Sequence, residues 1–479
     1  MKWLATIFSL ALLPAGGLAQ AKTQAADVSK EVERRIGHRL HLAAKSTVLT
    51  MPEDVSVADG ITEDEAVAIA LWNNPALQAE LTALGVARAD VIQAGLLTNP
   101  QLTMIFPFSF RILEAVANWP MEAIWQRPRR LAAAKLEQER IGETLVSRAL
   151  DLVRDVRLAY AEYSAAQTRS GIAEEIVRER REIAVIVNAR LRAGDISELE
   201  TGASVTDARL AEERAARLLQ DAALARERLR GLLGFGNENA VLNLTSPPPL
   251  APGTSQIISV QASGGIADVP SAVSSTDTAT ERPRSDQTSV SSSDPLNKLV
   301  KQALEARPEL KAGELAIEAA GARAKWERSR ILNVTAIAKE YGRGANGFEQ
   351  GPGLLIDLPI FNRNQGNISR AEAEIERAVK QLIAARQRIV TEVREAYLQL
   401  AQAREAHQLW RTRVLPPLEQ DIRLAETAYR SGDVAYLFVL ETARRYSDER
   451  LREADYQIAT ARALAQLERS VGRRLIANR

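Results

Sequence analysis

TMIFPFSF, residues 103 to 110, breaks the pattern of the chain around it. Met104, Phe106, Phe108 and Phe110 take every second position, with Thr103, Pro107 and Ser109 among the residues between. A period of two is the signature of a strand with one apolar face. Most of the remaining chain is written in Ala, Leu, Arg and Glu, the residues of long exposed helices. Something must cover that apolar face, and the surrounding sequence limits what it can be.

A return strand follows, in which Trp119, Met121, Ala123 and Trp125 alternate with Asn118, Pro120, Glu122 and Gln126. A second hairpin pairs NVTAIAKEY (333–341) with GLLIDLPIF (353–361). Leu354, Ile356, Leu358 and Ile360 share one face there, opposite Gly353, Leu355, Asp357 and Pro359. The connection GRGANGFEQGP (342–352) reads as loop by its glycines. Strands like these ordinarily pack on a soluble core. Here the neighbouring elements read as rods, no apolar domain is available, and lipid is the partner left. Trp119 and Trp125 suit the aromatic girdles of a membrane barrel. Four strands cannot close a barrel, and open edges are not tolerated in hydrocarbon, so the chain must associate. Three copies give an allowed even count of twelve strands, though strand geometry alone does not choose three over two or four.

The chain repeats its plan. WNNPAL (72–77) and EARPEL (305–310) align through Pro75 and Pro308, VRLAYAEY around Tyr160 aligns with VREAYLQL around Tyr397, and LRAGDISELE (191–200) aligns with YRSGDVAYLF (429–438). Each half reads as a helix of about 34 residues, a hairpin, a rod of about 100 Å, a glycine turn and a return helix. The capping box Thr62-Glu63-Asp64-Glu65 opens the first half, and Asp294-Pro295 the second. The expected units are a signal peptide (1–21), an irregular segment (22–61), a first repeat (62–244) with its hairpin at about 100–126 and tip at Gly194, a linker (245–296), and a second repeat (297–479) with its hairpin at about 332–361 and tip at Gly432. The linker is rich in Ser, Thr, Pro and Asp and cannot bury a core. The expected fold is mainly α with a membrane β-barrel, its long antiparallel coiled-coil helices carrying four strands per chain.

Composition excludes several classes of function. A net charge of +1 over 479 residues offers no electrostatic case for nucleic acid. There is no cysteine, hence no disulfide, thiol nucleophile or thiol for a lipid, and only three histidines. His38 and His41 have an HxxH spacing, but two ligands without a carboxylate make no metal site. No nucleophile–base pair or phosphate loop is present, so neither an enzyme nor a cofactor is expected. Lys2, the apolar run Trp3 to Leu13 and Ala19-Gln20-Ala21 form the three parts of an export signal. Arg127, Arg129 and Arg130, after the second strand, read as a solvated charge run or as residues at the membrane boundary.

NNPAL, ARPEL, AGLLTNPQL (94–102), the two Gly-Asp turns and DLPIFNRNQGNI (357–368) resemble the TolC family of outer-membrane efflux factors. The last motif is similar to the cation-efflux branch, the CzcC-like and CusC-like proteins. The resemblance covers about 62–235 and 297–474. It implies a homotrimer with a twelve-stranded outer-membrane barrel and an α-helical barrel extending into the periplasm. The implied partners are a periplasmic adaptor (membrane fusion) protein and an inner-membrane RND pump. The implied cargo is a heavy-metal cation, with drugs or a secreted protein as alternatives. Outside this class, the alternative is a soluble periplasmic coiled-coil scaffold or adaptor. The resemblance also assigns the adaptor-docking tips to Arg192, Gly194, Asp195 and Ser197, and to Arg430, Gly432 and Asp433. It assigns the channel gate to Phe438 and Glu441, with Glu200 as the counterpart in the first half. Many family members carry a lipidated N-terminal cysteine, which this sequence lacks.

Overall fold

The computed structural model describes residues 19–41, 51–52, 55, 60–105, 114–235, 295–342, 348–431 and 433–475. Residues 1–18 of the expected signal peptide, nearly all of the expected linker, Phe106, Phe108, Phe110 and Gly432 lie outside the described residues.

The first helix, α1 (Ala19–Ile36), corrects the expectation of an irregular segment after residue 22. Val28, Val32 and Ile36 fall four apart and are buried in the largest core cluster, so tertiary packing supplies what a mixed local sequence does not. Gly37, at φ 91°, ends the helix, and His38 and His41 lie beyond it in extended chain. His41 stacks on Trp72 with ring centroids 4.6 Å apart.

The single helix expected after Thr62 is two, α2 (Glu63–Asn73) and α3 (Pro75–Gly95). The second half repeats the break, with α6 (Pro295–Ala306) and α7 (Pro308–Ser329). The motifs NNPAL and ARPEL are those breaks: proline disfavours the α conformation of the residue before it. Asn74 and Arg307 are accordingly extended, at ψ 118° and 122°. Asn74 then caps α3, its Oδ1 accepting from Leu77 N at 3.0 Å, while its Nδ2 donates to Leu232 O at 2.9 Å.

Strands β1 (Gln101–Ile105) and β2 (Glu114–Pro120) lead into the rod α4 (Glu122–Ala193), whose 72 residues span about 110 Å. The return helix is α5 (Glu198–Leu233). In the second half, β3 (Asn333–Gly342) and β4 (Phe348–Asp357) precede α8 (Gln365–Leu409), one π-turn at Trp410–Val414, and α9 (Leu415–Ser431). The last helix is α10 (Tyr436–Val471). The π-turn lies just before Pro416 and Pro417, which have no N–H to continue the ordinary ladder. Its first residue, Trp410, is 2% exposed and donates from Nε1 to Glu449 at 3.0 Å.

Helix α4 is the spine of the chain, packing against α1, α2, α3, α5, α7 and α10. Where the two repeats meet, ion pairs join them. Arg157 on α4 pairs with Glu468 on α10, and Arg469 pairs with Asp151 at 2.7 Å and Glu309 at 2.6 Å. Arg307 pairs with Glu309 at 2.9 Å and with Glu392 at 3.0 Å. Burial would raise the Glu309 carboxyl, but Arg469 and Arg307 outweigh it and hold it at about 2.

Candidate functional site

The four strands form one antiparallel sheet in the order β1-β2-β3-β4, with β1 and β4 as open edges. Residues paired across strands point to the same face, so the register sorts every side chain. Leu102 pairs with Ala117 and Met104 with Ala115; Trp119 pairs with Ala336, which pairs in turn with Leu354. Val334 opposite Ile356 and Ala338 opposite Pro352 lie on that face too. From the helix end of the sheet up to the row of Leu102 and Ala117 it is apolar; the next row, Met104 and Ala115, continues into Glu340 and Gln350. The opposite face is mixed, with Gln101, Thr103, Asn118, Thr335, Lys339 and Asp357 among Ile105, Val116, Ile337 and Leu355. Among the described residues nothing covers the apolar face: Leu102 is 66% exposed and Leu354 67%.

Met104, Trp119, Leu354 and Ile356 thus share a face. The expected strand boundaries need correction at three places. The return strand ends at Pro120, so the first hairpin does not reach 126. Met121 N makes the last ladder bond, to Val334 O at 2.8 Å, and Ile124 N donates to Met121 O at 3.0 Å to begin α4. Trp125 is therefore a half-buried helix residue, not a lipid-facing strand residue. Strand β4 ends at Asp357, opposite the first residue of β3, so Leu358 and Ile360 have no strand to pair with. Phe348–Pro352, expected as loop, is strand, because β3 offers a free ladder from Ala338 to Gly342 that outweighs the glycines.

Arg127 and Arg130 are not a free charge run. Arg127 Nε donates to Gly95 O at 2.6 Å, and Arg130 donates to Ala94 O at 2.9 Å and Leu96 O at 2.6 Å. They satisfy the last carbonyls of α3 and complement its dipole.

At the far end of the rods, Gly194 adopts φ 82° and ends α4. Ser197 caps α5, and its box partner is Glu200: each backbone N–H donates to the other's side chain at 3.2 Å. The Glu200 carboxylate thus has a structural task. Asp195 lies two residues before that cap, and Asp433 lies at the equivalent distance before Ala435, accepting from Ser431 Oγ at 2.6 Å. Arg192 is in the last turn of α4, and Arg430 is next to last in α9.

Helix α10 presents two faces at this tip. Tyr436 and Leu440 are buried against Val187 on α4. Phe438 is 58% exposed and Glu441 lies beside it, accepting from Arg445 Nε at 3.1 Å. The tip also holds a constellation that the sequence did not disclose. Asp207 on α5 is 7% exposed and lies between Arg444 Nε at 2.6 Å and Arg180 Nε at 3.2 Å. Tyr436 and Ser204 hydroxyls are 3.3 Å apart, and Arg190 bonds to the Tyr429 hydroxyl. These contacts tie α4 and α5 to α9 and α10. Small residues around Asp207 (Ser204 and Ala208, both buried) are the only local sign that this acid faces inward.

Among the described residues no group of three His, Asp or Glu side chains could hold a metal, and no helix is long and apolar enough to cross a membrane.

Residues 299–473 match the outer membrane efflux protein family. Over 423 residues the chain is 27% identical to the cobalt-zinc-cadmium resistance protein CzcC of Cupriavidus metallidurans, covering 87% of this chain and 91% of that protein. The second half of the chain thus resembles the outer membrane efflux proteins, and the whole length resembles CzcC. Its fold is that of crystallised CusC, with a TM-score of 0.66 over 91% of this chain and 98% of that one, at 18% identity. A membrane protein from Pseudomonas aeruginosa superposes with a TM-score of 0.67 at the same identity and the same coverage of both chains.

Proposed function

We propose that this chain is an outer membrane efflux protein, the trimeric exit duct of a tripartite system for heavy-metal cations. The observation that carries this reading is the sheet: one face apolar across all four strands except for its Glu340 row, with β1 and β4 unpaired at the edges among the described residues. Pairing β4 of one copy with β1 of the next closes twelve strands around an aqueous lumen lined by the polar face. The rods continue that duct into the periplasm, after export directed by residues 1–21. The likeness to CzcC over most of both chains favours cations as cargo.

In this reading a periplasmic adaptor docks at the tip turns, Arg192 to Ser197 and Arg430 to Asp433. An inner-membrane RND pump supplies the energy and selects the cargo, and the duct performs no catalytic step. Phe438 and Glu441 stand on the exposed face of α10 at the tip. Around a threefold axis they would set an apolar ring beside a ring of carboxylates that draws cations, with Glu200 contributing from the first half. Mass determination of the gently extracted outer-membrane complex tests the assembly, and a trimer is expected. Zinc, cobalt and cadmium sensitivity of a deletion strain, restored by the wild-type chain, tests the cargo. A periplasmic monomer would sink the channel, and unchanged sensitivity to all three ions would sink the cargo.

A further inference from the structure

The apolar surface does not stop where the strands stop. Beyond Asp357, Leu358 is 73% exposed, Ile360 63% and Phe361 91%. The segment has its own local structure, with Ile360 N donating to Leu358 O at 2.8 Å and Arg363 Nε to Pro359 O at 3.2 Å. An almost fully exposed phenylalanine ring forgoes burial worth a large share of its hydrophobic transfer energy. The same end of the sheet carries two more exposed aliphatics, Leu332 (45%) before β3 and Ile124 (55%) in the first turn of α4. Each lies at a junction between strand and helix. Leu354 and Ile356, on the apolar sheet face, run directly into Leu358 and Ile360 along the chain. Arg129 and Arg363 stand exposed on the helix side of this collar. Arginine there can lay its stem on apolar surface and turn its guanidinium toward lipid phosphates.

We infer that the Leu358-Pro359-Ile360-Phe361 loop is a membrane-inserting element. With Leu332 and Ile124 it seats in the phospholipid leaflet on the helix side of the membrane and fixes the depth of the barrel. Apolar wedges at the boundary of headgroups and acyl chains anchor proteins in this way, and the 479 residues offer no cysteine to a thioether lipid. The inference rests on the membrane reading of the sheet, and its test separates the two. Because the chain has no native cysteine, single cysteines can be placed and spin-labelled in the full-length assembled protein in phosphatidylethanolamine–phosphatidylglycerol vesicles. The sites are Leu358→Cys, Ile360→Cys and Phe361→Cys, with Met104→Cys as the strand reference and Lys301→Cys on α6 as the aqueous one.

Collision with oxygen, enriched in lipid, is compared with collision with a water-soluble nickel chelate. At Ile360 and Phe361 the oxygen-to-nickel ratio is expected to exceed that at Lys301 severalfold and to approach that at Met104. A ratio like that at Lys301, with Met104 still lipid-like, places the loop in water and overturns the insertion alone. Low collision with both reagents means burial between copies and overturns it equally. A water-like ratio at Met104 as well removes the membrane reading and this inference with it.

Discussion

At the scale of the residue, the motifs that repeat along this chain are joints. Arg307 and Glu309 flank Pro308, and their side chains reach α4, α8 and α10 at the junction of the repeats. Glu309 titrates at about 2 when folded and near 4.5 as a free group, so the unfolded chain binds its proton first as pH falls. Stability from this carboxylate is therefore complete above about pH 5, declines below 4.5 and is gone near 2. Glu309→Gln leaves two buried guanidinium groups short of a partner, although Asp151 and Glu392 still serve them. A loss on the order of 2 kcal/mol at pH 7 is expected, shrinking as pH approaches 3. Thermal melting followed by helical circular dichroism at both pH values checks it, and equal midpoints at pH 7 would contradict the role. Asn74→Ala removes both the α3 cap and the bond to Leu232 O, and about 1–2 kcal/mol should be lost in the same measurement. Asn74→Asp, which keeps the acceptor, should recover part of that.

At the scale of the element, two glycines with the same backbone conformation predict different costs. Gly194 has φ +82° and open space where a Cβ would stand. Gly234, at φ +85°, would place a Cβ 2.5 Å from Asn73 O, a backbone atom that cannot swing away. Gly194→Ala should therefore cost only about 1 kcal/mol of left-handed strain. Gly234→Ala should cost more than twice that, because the α5 terminus must move off α2. Melting midpoints of the two variants decide this, and equal losses would mean that the contact yields. Much at this scale was legible in the sequence. The Thr62 capping box, the Gly194 terminus, both rods and the alternation around Met104, Trp119 and Leu354 are local signals of period, cap and turn. What was not legible depends on a distant partner. Residues 19–36 fold because Val28 and Val32 meet the core, and Phe348–Pro352 extends because β3 runs beside it. The capping task of Glu200 follows a local rule, a serine at the cap and a glutamate three residues on. Asp207 was hidden because Arg180 and Arg444 approach it only through folding, Arg444 from 237 residues away.

At the scale of the whole molecule, the side of the sheet on which a residue lies should matter more than its position along the strand. Leu354 and Leu355 are neighbours of the same type, 67% and 54% exposed in the single chain. Leu354 shares its face with Ala336 and Trp119; Leu355 shares the other with Thr335. If the apolar face meets lipid and the polar face lines water, a charge one residue along changes medium. Arginine on the lipid face costs about 2–4 kcal/mol per copy at midplane and less toward the interface, and threefold symmetry multiplies that cost for the assembly. On the lumen side the guanidinium stays hydrated. Leu354→Arg should therefore deplete the trimer from the outer-membrane fraction and sensitise cells to the exported ions. Leu355→Arg should assemble normally, and its added positive charge in the lumen should slow cation passage. Quantifying trimer in fractionated membranes separates the two effects, because only the first variant loses protein. Equal assembly of both would mean that the sheet faces lipid on neither side, and the twelve-stranded closure would fail with it.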